Sequence, residues 1–214
     1  PTHIVNFAAQ GEGAASFGSD CWRFYATNVV SLVRFVEVIR KKPYLDQFLH
    51  IGSSEVYGGV EKPAKETDKL NPTSPYSISK AAFDHHLEAM HRIHGFPMSI
   101  IRPSNCYTPG QQLHRIIPKA IICALSGRKL PLQGGGRAHK SYLHADDLSK
   151  AILLVLQKAS IGKIYNCGSN VPISIATLVS TVAEACGITM EELVEEKPDR
   201  VGQDTRYWLD STEL

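Results

Sequence analysis

The chain has 214 residues, 43% hydrophobic and 21% charged, with a formal net charge of +2. That length can bury a real core in one domain, or one domain with a lobe, and the small net charge speaks against nucleic acid while suiting a small anionic ligand. No apolar run approaches the roughly 18 residues of a membrane span and no signal peptide is visible. Five scattered cysteines (Cys21, Cys106, Cys123, Cys167, Cys186) with no C-x-x-C pair read as reduced thiols of a cytoplasmic protein. The chain opens at Pro1, inside a strand-like run, and so reads as a piece of a longer polypeptide.

In chain order, residues His3 to Ala9 read as a strand buried on both faces. Asn28 to Lys41 reads as a helix whose only polar stripe is Ser31, Arg34 and Glu37, so it must be covered from more than one side. Phe48 to Ile51 is a second strand, running into the polar loop Gly52 to Glu55. Ser77 to His94 is a helix with Phe83, Leu87 and Met90 at core spacing, and Pro97 to Ile101 a third strand. This alternation predicts an α/β fold with a parallel sheet and helices on its faces. Functional groups should then gather at the carboxyl ends of the strands. Beyond Arg102 the pattern loosens: helix at Arg115 to Ser126, extended pieces at Lys129 to Leu132 and Ser141 to His144, helix at Asp146 to Leu156, strand at Lys163 to Asn166, helix at Ile173 to Ala185. That second half reads as a smaller mixed lobe over the strand ends.

Tyr76 and Lys80 carry the most information. Their spacing of four puts both on one helix face. A phenol with its ordinary pKa near 10 is a poor base, whereas an ammonium beside it favours the phenolate. Such a pair can take a proton from a sugar hydroxyl while a nicotinamide oxidises the carbon. Ser53, at a strand end, can bridge a substrate hydroxyl and the Tyr76 oxygen. Glu55 could then remove a carbon-bound proton made acidic by a neighbouring ketone.

Several stretches carry a family resemblance. They include Asn6-Phe7-Ala8-Ala9-Gln10, Thr27-Asn28-Val29, Ser53 to Gly58, Asn71 to Ala82, Arg102-Pro103-Ser104-Asn105, Ile117-Pro118-Lys119, Leu130-Pro131-Leu132, Tyr165-Asn166 and Asp199 to Asp204. In these the chain resembles the extended short-chain dehydrogenase/reductase family, especially its nucleotide-sugar epimerase/dehydratase branch. An acid at Glu55 is typical there of 4,6-dehydratases and decarboxylases, and Asp199 to Asp204 followed by Tyr207 is similar to the ending of dTDP-glucose 4,6-dehydratases.

The resemblance implies a Rossmann-type parallel sheet of which residues 1–104 form the catalytic half. Residues 105–214 would form a substrate lobe, with 140–158 returning to the sheet. It implies an NAD cofactor, a nucleotide-diphosphate-sugar substrate, a homodimer built through the Asn28 to Lys41 helix, and a cytoplasmic lyase of carbohydrate biosynthesis. The expected catalytic residues are Tyr76, Lys80, Ser53, Ser54 and Glu55. Phe7, Ala8, Ala9, Gln10, Ser53, Tyr76, Lys80 and Pro103 would meet the cofactor. Glu55, Asn105, Lys119, Leu130, Leu132, Gln133, Lys140 and Arg200 would meet the substrate, with Asn105, Lys140 and Arg200 on the diphosphate. No metal is expected.

The chain departs from the pattern at four places. Ser53-Ser54-Glu55 stands for Thr-Asp-Glu, which removes the usual acid at Ser54. Gln133 replaces a base-stacking aromatic, Lys140 replaces an arginine able to grip phosphate bidentately, and Thr108 replaces a glycine. The Gly-rich dinucleotide loop is not among these residues. Gly11-Glu12-Gly13-Ala14-Ala15-Ser16 imitates it but has serine at the third glycine and no helix start behind it. His85, His86, His91 and His94 read as solvent-facing positions rather than a zinc site, and Asp146 and Asp147 as a helix cap. The alternatives are a 4-epimerase or decarboxylase of the same branch, or a non-catalytic binding module.

Overall fold

The computed structural model describes residues 1–214 except Glu12, Arg200, Val201 and Gln203. The first half runs β1 (His3–Asn6), a 3-10 turn (Ala14–Phe17), α1 (Trp22–Tyr25), a π-helical turn (Ala26–Ser31), α2 (Leu32–Ile39), β2 (Gln47–Ile51), a 3-10 turn (Ser54–Tyr57), α3 (Pro75–His94) and β3 (Met98–Pro103). Then come β4 (Asn105–Tyr107), α4 (Ile116–Leu125), β5 (Leu130–Gln133), β6 (His139–Lys140), β7 (Tyr142–His144), α5 (Ala145–Lys158), β8 (Ile164–Cys167), β9 (Ile173–Ser174), α6 (Ile175–Ala185), α7 (Met190–Leu193), β10 (Val194–Lys197) and β11 (Arg206–Tyr207).

The main sheet has the order β1-β2-β3-β8, every pair parallel. Successive strand residues point to opposite faces, so each strand feeds two cores. Phe48 and Ile100 pack with Val36, Phe83 and Leu87 of α2 and α3. Leu49 and Ile101 pack on the other face with Leu148, Ile152 and Val155 of α5. Helices cover both faces of a parallel sheet, which is the Rossmann-like α/β architecture. A third core joins α4, α6, α7 and β5 through Ala120, Leu130, Val179 and Leu193.

Some expectations change. β1 is an edge strand in this sheet; His3 is exposed, Ile4 and Val5 are half-buried against the cores on the two faces, and Asn6 is buried. β8 pairs with β3 and belongs to the main sheet rather than to the smaller lobe. The helix expected from Asn28 begins at Trp22 and passes through the π turn into α2. Its outward positions Val30, Phe35 and Val38 are exposed. Asp146 and Asp147 lie in the first turn of α5, but the cap is His144, which accepts the Asp146 backbone N–H.

Candidate active site

A cleft of about 1140 Å³ opens at the carboxyl ends of the main strands and is roofed by the β4, α4 and β5 region. Its size and mixed polar and apolar lining suit a ligand larger than a simple sugar. Tyr76, Lys80, Ser53, Ser54 and Glu55 all line it.

α3 starts where it does for local reasons. Ser74 caps it reciprocally with Ser77, Pro75 occupies the first turn, and Gly95, at φ 63°, ends it in the left-handed conformation. Tyr76 therefore sits in the first turn, and Lys80 one turn further along the same face. Ser53 caps the following 3-10 turn, its Oγ accepting the Glu55 N–H at 3.2 Å. That bond holds Glu55 beside the strand end. Glu55 also reaches the loop after β1: a Cβ built on Gly13 would lie 2.6 Å from Glu55 Oε2. A bare glycine thus makes the room for this carboxylate.

The electrostatics differ from the expectation of a phenol kept acidic. Burial pushes Tyr76 up to about 12, and the negative charge of Glu55 adds to the rise; Ser53 and the more distant Arg115 pull the other way. Lys80 Nζ donates instead to the Ile51 carbonyl at 2.7 Å and lies 3.2 Å from His50 Nε2. The lysine is itself lowered to about 8 by burial, against which Asp84 works. Spacing brought the two side chains to one face, but the amine is engaged by the Ile51 carbonyl at the end of β2.

Of the residues expected to meet a cofactor, Phe7, Ala9 and Pro103 line the cleft with Ser53, Tyr76 and Lys80. Ala8 and Gln10 are exposed and serve the loop's own geometry: the Ala8 N–H donates to Asn6 Oδ1, and the Gln10 N–H to Asn28 Oδ1 at 2.7 Å. Fully buried Asn28, in the π turn, donates back to the Gln10 carbonyl and to Ser79 Oγ. It ties the β1 loop to the Tyr76 helix, a use of a π turn often found at functional sites. Ser104 Oγ, buried beside Pro103 on the cleft wall, has no hydrogen-bond partner among the described residues. An orphaned hydroxyl, a buried cation and exposed Phe7 along one wall fit the nicotinamide end of a dinucleotide. The Gly11 loop does not fit the pyrophosphate end, because it leads into a 3-10 turn and its close approach at Gly13 is taken by a carboxylate.

Asn105, Lys119, Leu130, Leu132, Gln133 and Lys140 also line the cleft. Leu130 and Leu132 are buried, whereas Gln133 and Lys119 are exposed at the rim. Lys140 Nζ sits 3.3 Å from the centre of the Tyr207 ring, a cation–π contact that fixes it at the cleft. Arg200 lies outside the described residues. Asp204 anchors the final segment by accepting from Thr73 Oγ1 at 2.6 Å and from the Tyr207 hydroxyl at 2.8 Å.

Sequence reasoning missed Tyr107, His114, Arg115 and Tyr142, which also line the cleft. It missed the buried partners of Lys80 as well, although Asp84 repeats the four-residue spacing. Among the histidines, His85 and His94 are exposed, but His91 Nδ1 bonds the Phe96 carbonyl and His86 stacks on Phe83. No cluster of metal-ligating side chains occurs among the described residues. No helix among them is long and apolar enough to cross a membrane.

The chain is 33% identical over 212 residues to the dTDP-glucose 4,6-dehydratase of Streptomyces niveus, covering 99% of this chain and 62% of that protein. It is 31% identical over 215 residues to a trifunctional UDP-glucose 4,6-dehydratase/3,5-epimerase/reductase of Arabidopsis thaliana, covering 99% of this chain and 32% of the relative. It therefore spans about a third of the Arabidopsis relative and under two thirds of the bacterial one. Among solved structures, the dTDP-glucose 4,6-dehydratase of Streptomyces venezuelae with NAD bound superposes with a TM-score of 0.93 at 31% identity, covering 99% of this chain and 65% of that one. With this cleft, this sheet and a family profile matched over residues 1–168, the chain belongs to the NAD dependent epimerase/dehydratase family.

Proposed function

We propose that this chain is the catalytic part of an NAD-dependent nucleotide-sugar 4,6-dehydratase, converting a nucleotide-diphosphate hexose into its 4-keto-6-deoxy product. The observation that carries the reading is one cleft in which the Tyr76 hydroxyl and the Glu55 carboxylate lie close enough for the charge of one to act on the other. A C4 oxidation and a C5 deprotonation need that pair, and a 4-epimerase needs only the first member. Similarity to the Streptomyces and Arabidopsis dehydratases supports the same choice.

Bound NAD would supply the two-electron oxidation at C4 and the matching reduction at C6. Phe7, Ala9, Ser53, Lys80 and Pro103 would hold its nicotinamide end. Tyr76 accepts the C4 hydroxyl proton, with Ser53 bridging the two oxygens. At about 12 the Tyr76 phenol keeps its proton at neutral pH, so the acceptor is its phenolate, a form that needs positive charge beside it, which Lys80 one turn along the same helix face would supply. The C4 ketone acidifies C5–H, and Glu55 takes that proton. Loss of water then requires a proton on the C6 oxygen. Ser54 cannot give one at neutral pH, so the freshly protonated Glu55 is the acid at hand; reprotonated from solvent, Glu55 then returns a proton to C5 as C6 is reduced. Lys140 and Asn105 bind the diphosphate, and Leu130, Leu132 and Gln133 receive the base. The exposed row Val30, Phe35 and Val38 is the face through which two copies pair.

The test uses the complete polypeptide that carries this chain, incubated with NAD and dTDP-glucose or UDP-glucose. The reading expects a 4-keto-6-deoxy hexose by NMR. Inversion at C4 as the sole change would replace it with an epimerase, and no turnover together with no NAD uptake by calorimetry would replace it with a binding module.

A further inference from the structure

Tyr76, Lys80 and Asp84 follow one another at four-residue spacing along α3, so all three share a face. The third has no part in the reaction above, yet Asp84 and His50 are fully buried and Arg102 almost so. Asp84 Oδ2 accepts from Arg102 Nε at 2.9 Å. Its other oxygen, Oδ1, has no hydrogen-bond partner among the described residues and lies 3.9 Å from His50 Nε2. That ring nitrogen is in turn 3.2 Å from Lys80 Nζ.

This arrangement is not what a purely structural ion pair calls for. An arginine normally meets a carboxylate with two parallel bonds. Here Arg102 spends Nη1 on the Tyr57 hydroxyl at 2.8 Å, and the second carboxylate oxygen is left facing the lysine side. A buried oxygen without a partner costs stability, so its orientation calls for a reason. The groups around it complete the picture. β2 contributes His50, which burial keeps neutral; α3 contributes Lys80, Tyr76 and, further off, Glu88; β3 contributes Arg102. The turn after β2 contributes Tyr57, near Glu66. Lys80 and Arg102 are the cations of that set, and Asp84 is its fully buried carboxylate.

We propose that Asp84, braced by Arg102, is a positioning residue for Lys80: its unpaired oxygen, acting across the neutral His50 ring, keeps the lysine charged and held against the Ile51 carbonyl beneath the cleft. The proposal rests on the reading that Lys80 supplies positive charge to the phenolate form of Tyr76. Burial alone drives Lys80 toward the neutral amine, and the Asp84 charge is the opposing influence. Without that charge, Lys80 would lose its proton near the pH at which the enzyme works, and with it the positive field needed to stabilise a phenolate.

The experiment follows the Lys80 side chain directly, by NMR titration of ¹³C-labelled lysine in the complete polypeptide, with Lys80→Met assigning the signal. The wild type should titrate at about 8. Asp84→Asn should lower the midpoint by about one unit, a tenfold loss of proton affinity, and pull the alkaline limb of kcat down with it. Asp84→Glu should restore both. Should Asp84→Asn alone not fold, the change is read in an Arg102→Gln background, where the Lys80 midpoint of Asp84→Asn/Arg102→Gln should lie below that of Arg102→Gln alone. An unmoved midpoint in a folded variant overturns the proposal, whatever the enzyme turns over. A lowered midpoint in a protein that does not dehydrate sugars supports it and overturns only the reading of the reaction.

Discussion

Replacing Glu55 by glutamine should separate the two proton transfers of the reaction. Tyr76 stands at about 12 against an ordinary 10.0, and the Glu55 charge is the second cause after burial. Two units correspond to about 3 kcal/mol against the phenolate. Glutamine removes the part owed to charge while nearly keeping the shape, so C4 oxidation should persist and its pH profile should move to lower pH. Exchange of C5–H should fall by about 10²–10⁴-fold, the usual weight of a positioned general base. A quenched-flow experiment in deuterated water reads both: near-ultraviolet absorbance follows the reduced dinucleotide, and mass spectrometry follows label at C5. The variant should accumulate the oxidised sugar without label. C5 exchange at the wild-type rate would refute the role of Glu55, and a C4 profile displaced to higher pH would refute the electrostatic coupling.

The remaining predictions concern the frame around the site. Lys80 is lowered in the folded state to about 8 from 10.5, so between those values the unfolded chain holds more protons and stability rises with pH. The penalty, about 3 kcal/mol, is complete below pH 8. Lys80→Met should therefore gain on the wild type in urea unfolding at neutral pH, with the gap closing toward pH 10.5; a constant gap would contradict the burial argument. Gly58 has φ 68°, and a Cβ there would lie 2.3 Å from the Asn71 carbonyl oxygen. Gly58→Ala should cost about 1–3 kcal/mol or more, and an unchanged denaturation midpoint would show that the turn relaxes freely. Val38→Asp, on the exposed face of α2, should turn a sedimenting dimer into a monomer. A wild-type protein that is already monomeric would remove that face as an interface.

The first half of the chain was legible because local chemistry dictates it. Ser74-Pro75 announces a helix start, Gly95 its end, and apolar runs at Phe48 to Ile51 and Met98 to Ile101 mark strands covered on both faces. The Ser53 to Glu55 loop falls at a strand end by the same logic. What stayed hidden was tertiary. Nothing in the spacing of Tyr76 and Lys80 reveals that the amine turns to the Ile51 carbonyl, because the acceptor comes from another strand. Nothing local marks Asp84, since its partners Arg102 and His50 lie on β3 and β2. β8 was assigned to the lobe because its four residues carry no signal of which sheet they join. β10 and β11 are short, and pairing rather than propensity makes them strands. The histidines on α3 misled in the other direction: two of the four are half-buried, one stacked on Phe83 and one bonded to the Phe96 carbonyl.

The central claim is that a single cleft oxidises C4, takes the C5 proton through Glu55 and reduces C6. The most direct measurement starts from a nucleotide-diphosphate glucose deuterated at C4, turned over by the complete polypeptide in ordinary water. The account predicts that the label appears in the C6 methyl group of a 4-keto product whose C5 hydrogen comes from solvent. Label retained at C4, with only the configuration of that carbon changed, would contradict it.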